Sequence, residues 1–350
     1  SSSGSYAPSP DPSISSARRF SMTRVLLLTT GGTIASRRGD QGLEPQISAR
    51  GLLEYMSDLR AHYHIDARDI LNLDSSNIQA EEWQTNARAV MENLDAYDGI
   101  VITHGTDTMA YTASVLSYML QNLTKPVVLT GSQMPIDNLL TDARNNLYTA
   151  FSAVDCRIPG VSIAFDHKLI RGCRAVKVRA SGFSAFESVN ARYAALVSNR
   201  GLVVDADVLP RRTGESRLLS DISKEVFLLK LTPGLNPAIF DMLAAMGYKG
   251  IVIEAFGLGG VNVLHRGLRG IHRCVEDGVS VVVTTQCLYD SADLQVYQVG
   301  SKLLELGVIQ GRDMTSEAAM TKLMWAIGQG MNPAQVSELF GQNLAGEVTI

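Results

Sequence analysis

Two short apolar runs that stop abruptly in glycine and threonine constrain this chain more than anything else in it. Val25-Leu26-Leu27-Leu28 runs into Thr29-Thr30-Gly31-Gly32-Thr33-Ile34-Ala35, and Gly99-Ile100-Val101-Ile102 runs into Thr103-His104-Gly105-Thr106-Asp107-Thr108-Met109. Runs this short, made of leucine and β-branched residues, read as buried strands. Glycines directly after them accept positive φ and let another backbone or a ligand come close. Each exit therefore presents a threonine hydroxyl and several backbone N–H groups at the carboxyl end of a strand. In open α/β sheets that is the end where ligands bind.

The same strand-and-exit pattern recurs. Pro126 to Leu129 leads into Thr130-Gly131-Ser132-Gln133, and Val161 to Phe165 into Asp166-His167. Between them stand helical segments: one carrying Leu52, Met56 and Leu59 on one face, then Trp83 to Leu94, then Tyr111 to Leu120. Ile70 to Leu73 reads as a short strand with Asp74-Ser75-Ser76-Asn77 as its polar exit, Ser36 to Gln46 as a polar loop, and Gly172 to Val178 as a hairpin or loop. Alternating strands and helices predict an α/β fold whose larger N-terminal domain is a doubly wound, mostly parallel sheet. Three further buried runs, Val226 to Leu229, Gly250 to Ile253 and Val279 to Val283, predict a smaller C-terminal α/β domain. It closes with a helix capped near Thr315, whose apolar face is Met320, Leu323, Met324 and Ile327. The expected divisions are a flexible Ser- and Pro-rich leader over 1–21, an N-terminal domain over 22–198, a linker over 199–221 and a C-terminal domain over 222–350.

Thr30-Gly31-Gly32-Thr33-Ile34-Ala35 and His104-Gly105-Thr106-Asp107-Thr108 together resemble the paired signatures of the bacterial-type L-asparaginases, the asparaginase/glutaminase family. The resemblance runs from about Met22 to the C-terminus and is nearest to the cytosolic type I branch. It implies hydrolysis of L-asparagine to L-aspartate and ammonia through an acyl-enzyme on Thr33, without metal or organic cofactor. It also implies a cytoplasmic homodimer or homotetramer. The family lysine carries over to Lys177, because Gly172-x-Arg174-x-x-Lys177 fits its motif. Thr106, Lys177 and Asp107 would then relay protons. Ser75 matches the serine that holds the substrate carboxylate, with Asp74 and Ser76 beside it, Asp107 pairing with the ammonium, and Gly32 and Gly105 lining the pocket.

The chemistry asks for those residue types. A threonine hydroxyl is a weak nucleophile until a base or a donor network activates it. The carbonyl under attack needs donors for its oxyanion, which N–H groups around Gly105 and Thr106 can supply. A lysine acts as a base only when desolvation or a nearby cation weakens its hold on the proton; Val176 and Val178 flank this one. Each residue also has a plainer reading: Thr33 as a helix cap, Thr106 as a turn residue, Lys177 as a solvated strand lysine, Asp74 to Asn77 as an ordinary polar turn. His104 is read as holding its strand exit by hydrogen bonds rather than as the base. One departure stands out. Many relatives carry a tyrosine in the loop after the first motif, where this chain has Leu43. Tyr297, reaching in from a neighbouring subunit, is the candidate replacement.

Composition bears on the alternatives. There are 35 acidic and 31 basic residues, for a net charge of −4, and Arg37-Arg38 and Arg211-Arg212 are isolated pairs. Nucleic-acid and membrane partners are therefore not expected. No apolar run reaches the length of a membrane helix. Cys156, Cys173, Cys274 and Cys287 show neither C-x-x-C nor metal-ligand spacing and are expected to be reduced thiols. The glycine loops lack nucleotide-binding spacing. The rival functions are a glutaminase-asparaginase of dual specificity and a non-catalytic amino-acid sensor on the same scaffold. A tRNA-dependent amidotransferase subunit is expected to carry an N-terminal domain longer than a 21-residue leader. Thr284-Thr285-Gln286-Cys287, at another strand exit, is a candidate place for an effector.

Overall fold

The computed structural model describes residues 21–210, 214–261 and 265–350. Most of the expected leader and Arg211 and Arg212 of the expected linker lie outside these residues. Eight strands form the large sheet: β1 (Thr23–Gly31), β2 (Tyr63–Leu73), β3 (Gly99–Thr103), β4 (Pro126–Thr130), β5 (Gly160–Phe165), β6 (Lys168–Arg171), β7 (Ala195–Ser198) and β8 (Gly201–Val204). Their order is β8-β7-β6-β5-β4-β3-β1-β2. The five strands from β2 to β5 are parallel, and β6, β7 and β8 return antiparallel. The chain runs from β1 to β2 on one side and from β2 to β3 on the other. The order therefore reverses between β1 and β3, the crevice where such sheets bind ligands.

Both faces of the sheet are covered, which is why its central strands can be continuously apolar. On one face the helices Ala80–Asn93 and Met109–Met119 pack over Leu26, Leu28, Ile100 and Ile102. On the other, the helix Ala143–Asp155 packs over Val25, Leu27, Val101 and Val128. The second sheet is parallel, in the order β9 (Val226–Lys230), β10 (Gly250–Ala255), β11 (Ser280–Thr285), β12 (Ile309–Gln310).

The structure amends several expectations. The first helix is two short ones, Ala49–Glu54 and Ser57–His62, broken at Met56 (φ −128°, ψ 47°), although Leu52, Met56 and Leu59 are all buried. The segment read as a loop after Thr33 is a hairpin, Ser36–Gly39 with Gly42–Pro45. A polar two-stranded ribbon in solvent needs no apolar alternation, so its pattern was invisible. β2 begins seven residues before Ile70. Its charged residues are satisfied by partners from elsewhere: Tyr97 donates to Asp66, Arg68 to Asn93, and Thr29 to Asp69. β8 falls inside the stretch read as linker yet pairs with β7 in the large sheet. The helix Ser316–Gly328 starts at Thr315, whose hydroxyl accepts from Ala318 N at 2.9 Å, but a further helix, Pro333–Phe340, follows it.

That last part of the chain packs between the two sheets, in a cluster that also holds Val226, Val252 and Val282. Tyr118 donates to Ala318 O at 3.0 Å, its ring lies 6.3 Å from that of Trp325, and Leu323, Trp325, Phe340 and Val348 join the cluster built on β1 and β3. Beside it lies a fully buried ion pair, Lys322 Nζ to Glu347 Oε1 at 2.7 Å. Lys322 also donates to Gln342 O at 2.7 Å, and Glu347 accepts from Leu344 N and Ala345 N. Burial pushes the Lys322 ammonium below its ordinary range, with the Glu347 carboxylate pulling the other way.

The exit of β3 is held by a directed chain of hydrogen bonds. Gly105 O, 2.6 Å from His104 Nδ1, can only accept, so that nitrogen carries the hydrogen. Nε2 must then accept from Thr112 Oγ1 at 2.9 Å, and Thr112 in turn accepts from Trp83 Nε1 at 3.0 Å. His104 is fully buried, and desolvation lowers its pKa from 6.5 to about 4.

Two stability predictions result. Lys322→Met strands a buried carboxylate and should cost about 3–5 kcal/mol, most of it regained in Lys322→Met/Glu347→Gln. Denaturant unfolding of the three proteins is the check, and full additivity of the two substitutions would contradict it. For His104 the folded state refuses a proton that the unfolded state accepts. Its contribution is complete above pH 6.5 and is lost as pH falls towards 4. Over that window the loss should be about 3 kcal/mol. In His104→Gln the difference in unfolding free energy between pH 7 and pH 4.5 should shrink by about 2 kcal/mol; an unchanged difference would assign the acid sensitivity elsewhere.

Candidate active site

Three strand exits meet where the sheet reverses, and they meet through backbone. Gly32 has φ +83°, and a Cβ there would lie 2.5 Å from Gly105 N. A Cβ on Gly105 would lie 2.6 Å from Ser75 Cβ and 2.7 Å from Ser75 Oγ. No side chain larger than hydrogen fits at either place. The glycines of both motifs are thus explained by one requirement, that the loops after β1, β2 and β3 touch. Gly32 N donates to Leu73 O at 3.0 Å, and Thr108 Oγ1 donates to Ser75 O at 2.8 Å, which fixes the three loops in register.

Thr33 opens the single 3-10 turn Thr33–Ala35, directly after Gly32. The cap position is held by Gly32, with no side-chain cap bond, so the capping role considered for Thr33 is not the one it plays. Thr33 is half-buried, and its hydroxyl has no partner among the described residues. Ser36 Oγ donates to Gly32 O at 2.7 Å and shapes the loop.

Lys177 arrives from another direction, on the short strand Ala175–Lys177, which pairs antiparallel with Phe186–Ser188. Its Nζ lies 2.8 Å from Thr106 Oγ1 and 2.8 Å from Asp107 Oδ1. Thr106 is buried, Lys177 has 16% of its side chain exposed, and Asp107 has 63%. One ammonium thus bridges a buried hydroxyl and a solvent-facing carboxylate. The backbone N–H groups of Gly105 and Thr106 have no acceptor among the described residues, and they border the same crevice.

The motif arginine has its own task. Arg174 Nε donates to Gly346 O at 2.7 Å, and its guanidinium reaches Asp313 Oδ2 at 3.1 Å and Thr349 Oγ1 at 3.4 Å. The strand that carries Lys177 is therefore clamped to the C-terminal segment.

Other expected residues are placed differently. Ser75 is buried beside Gly105, and its hydroxyl has no partner among the described residues. Asp74 is exposed, and its Oδ1 is taken by Ser76 N and Ser76 Oγ, both at 2.9 Å, so its carboxylate shapes the turn. Leu43 is 53% exposed on the hairpin, and Tyr297 is 61% exposed at the start of the helix Gln298–Glu305. The candidate effector stretch is engaged structurally. Thr284 Oγ1 donates to Ile253 O, and Gln286 Nε2 donates to Leu231 O and Glu254 O, tying β9, β10 and β11 together. A residue that the sequence did not point to is Gln133, at the exit of β4, whose Oε1 lies 3.3 Å from Thr106 Oγ1. The only available signal was its place after Thr130-Gly131, one more strand exit with a glycine.

The fold agrees with comparisons to known proteins. Residues 24–209 match the family model described as Asparaginase, N-terminal, and residues 225–340 match the Glutaminase/Asparaginase C-terminal domain. The L-asparaginase of Thermococcus kodakarensis is 43% identical over 328 residues, 93% of this chain and 99% of that protein. A solved structure of the thermostable L-asparaginase from the same organism has a TM-score of 0.88 at 42% identity, covering 93% of this chain and 99% of that one. A glutamyl-tRNA(Gln) amidotransferase subunit of Pyrococcus abyssi is 35% identical over 94% of this chain and 77% of that protein. The structure of L-asparaginase I from Vibrio cholerae has a TM-score of 0.86 at 31% identity, covering 94% of this chain and 100% of that one. With both family models matched and the glycine exits packed as their motifs require, this chain belongs to the asparaginase family.

Proposed function

We propose that the protein hydrolyses L-asparagine to L-aspartate and ammonia through an acyl-enzyme on Thr33. The observation that carries the reading is the single ammonium of Lys177 within 2.8 Å of both Thr106 Oγ1 and Asp107 Oδ1. Thr106 and Asp107 stand on the exit whose Gly105 meets Gly32, the residue before Thr33. In this reading the Thr33 hydroxyl attacks the side-chain carboxamide. Thr106 and Lys177 take up its proton and return it to the departing ammonia, and Asp107 holds Lys177 in place. The unengaged N–H groups of Gly105 and Thr106 would receive the oxyanion, a donor of that kind being worth roughly 100- to 1000-fold in rate. Ser75 would receive the α-carboxylate and Asp107 the α-ammonium. Water then frees aspartate from Thr33 by the same proton path.

L-Glutamine is longer by one methylene, worth about 1–3 kcal/mol in a fitted pocket, so the preference for asparagine is expected to be finite. The four cysteines carry free thiols, which suits action in the cytoplasm. A homodimer or homotetramer is expected, and a second copy is the expected source of the hydroxyl that Leu43 cannot supply. Tyr297 is the candidate for that role, being exposed on the C-terminal domain.

The first test is ammonia release from both amides by wild type and Thr33→Ala. Release from L-asparagine should fall by at least about a thousandfold in the variant; substantial release without the Thr33 hydroxyl would refute the acyl-enzyme. For the auxiliary phenol, Tyr297→Phe should lower kcat about tenfold or more while leaving the oligomer intact. An unchanged kcat would remove Tyr297 from the mechanism.

A further inference from the structure

Gln133 is held more firmly than a peripheral residue needs to be. Its backbone N lies 3.1 and 3.0 Å from the two carboxylate oxygens of Asp142, and Met134 N lies 3.1 Å from Asp142 Oδ1. Its side-chain Nε2 faces three backbone carbonyls in the loop after Lys177: Arg179 O at 3.4 Å, Ala180 O at 3.4 Å and Gly182 O at 3.1 Å. Carbonyls only accept, so the amide has one orientation, with the NH2 towards that loop and Oε1 towards Thr106. Oε1 is itself an acceptor and nothing else.

Thr106 Oγ1 therefore sits between two unlike neighbours. On one side the Lys177 ammonium donates to it at 2.8 Å, and on the other Gln133 Oε1 accepts from it at 3.3 Å. While Lys177 is charged, the Thr106 hydrogen has to point at Gln133, which leaves an oxygen lone pair facing Nζ. The bond to Gln133 is long for an O–H donor, whose usual range ends near 3.0 Å, so it is weak and easily left.

We infer that Gln133 is a positioning residue whose Oε1 parks the Thr106 proton and so sets the direction of the Thr106–Lys177 relay. This rests on the reading of the site as a threonine amidohydrolase. When Lys177 is neutral, the Thr106 hydroxyl turns its hydrogen to Nζ. Its oxygen then takes the proton of the attacking Thr33 hydroxyl or of the hydrolytic water, and the Thr106 hydrogen passes to Lys177. The new bond is from the attacking oxygen to the carbonyl carbon, and the carbonyl π pair moves to its oxygen. Lys177 is now charged, so the Thr106 hydrogen returns to Gln133 and rests there until Lys177 gives its proton to the leaving nitrogen, as the oxyanion pair re-forms the carbonyl and the C–N bond breaks with its pair on nitrogen. Without the parking acceptor the hydroxyl has no defined resting direction. With a charged acceptor it would be locked away from Lys177.

Two variants separate this role from simple packing. Gln133→Met keeps the length and removes the acceptor. It should lower kcat for L-asparagine about ten- to a hundredfold with KM within about threefold, because Gln133 directs a proton and does not hold substrate. Gln133→Glu behaves like glutamine only when protonated, since a carboxylate would face three carbonyls and bind the Thr106 hydrogen too strongly. Its kcat relative to wild type should climb at least about fivefold between pH 8 and pH 5 as the introduced carboxyl gains its proton. Gln133→Met should show no such climb. A kcat within about threefold of wild type in Gln133→Met, a KM that rises more than kcat falls, or a flat Gln133→Glu ratio would each overturn the inference. Those results with an active, Thr33-dependent wild type would leave the parent reading intact. A wild type inactive on both amides would overturn both.

Discussion

The close approach of three backbones governs the rest of this molecule. Gly32 against Gly105, and Gly105 against Ser75, leave no room for a Cβ at either glycine. Parallel strands all end at the same edge, but their ends stand apart by the spacing of the sheet and diverge with its twist. Loops that leave adjacent strands must lean together if a nucleophile from one is to meet donors from another. Glycine at φ +83° makes the first lean, and the absence of a side chain at residue 105 permits the second. The reversal of strand order between β1 and β3 supplies the opening into which both loops turn.

What the parallel edge cannot supply is a cation, because strands buried on both faces have no place for one. The chain brings Lys177 from outside, on a small antiparallel pair beyond β6. Such a pair is only marginally stable alone. The C-terminal segment stabilises it through Arg174, which binds Gly346, Asp313 and Thr349. That segment is anchored in turn by the buried Lys322–Glu347 pair and by Phe340 and Val348 in the cluster that joins the two sheets. The second sheet thus lies, in chain order, between Lys177 and the segment that fixes its strand, and the position of Lys177 depends on residues near position 346.

This arrangement explains what could be read from the sequence and what could not. β1, β3, β4 and β5 were legible because burial on both faces leaves an unmixed apolar run, and their exits because the need for glycine is local. Lys177 was legible only through the spacing of its motif. Nothing local separates it from a solvated strand lysine, since its partners lie 70 and 71 residues away. β2 was legible only at its end, because Asp66, Arg68 and Asp69 look like surface until Tyr97, Asn93 and Thr29 are in place. Gln133 was hidden for the same reason, as its amide has meaning only where the loop 179–182 returns to it. β12 is two residues long and offers no pattern at all.

The two carboxylates near the site also divide their work in a way that residue type alone does not reveal. Asp74 spends Oδ1 on Ser76 N and Ser76 Oγ, closing the turn that sets the buried Ser75 against Gly105. Asp107 gives Oδ1 to Lys177 and keeps much of its surface open to solvent. An exposed ion pair of this kind adds little stability, because water screens it and long side chains lose freedom. Its value is geometric. It holds the Lys177 ammonium against the Thr106 hydroxyl through Oδ1 alone. In the proposed reaction, a carboxylate that spends one oxygen on Lys177 would have the other left to answer a substrate ammonium. Asp74 directs Oδ1 into its own turn and so positions the serine beside it.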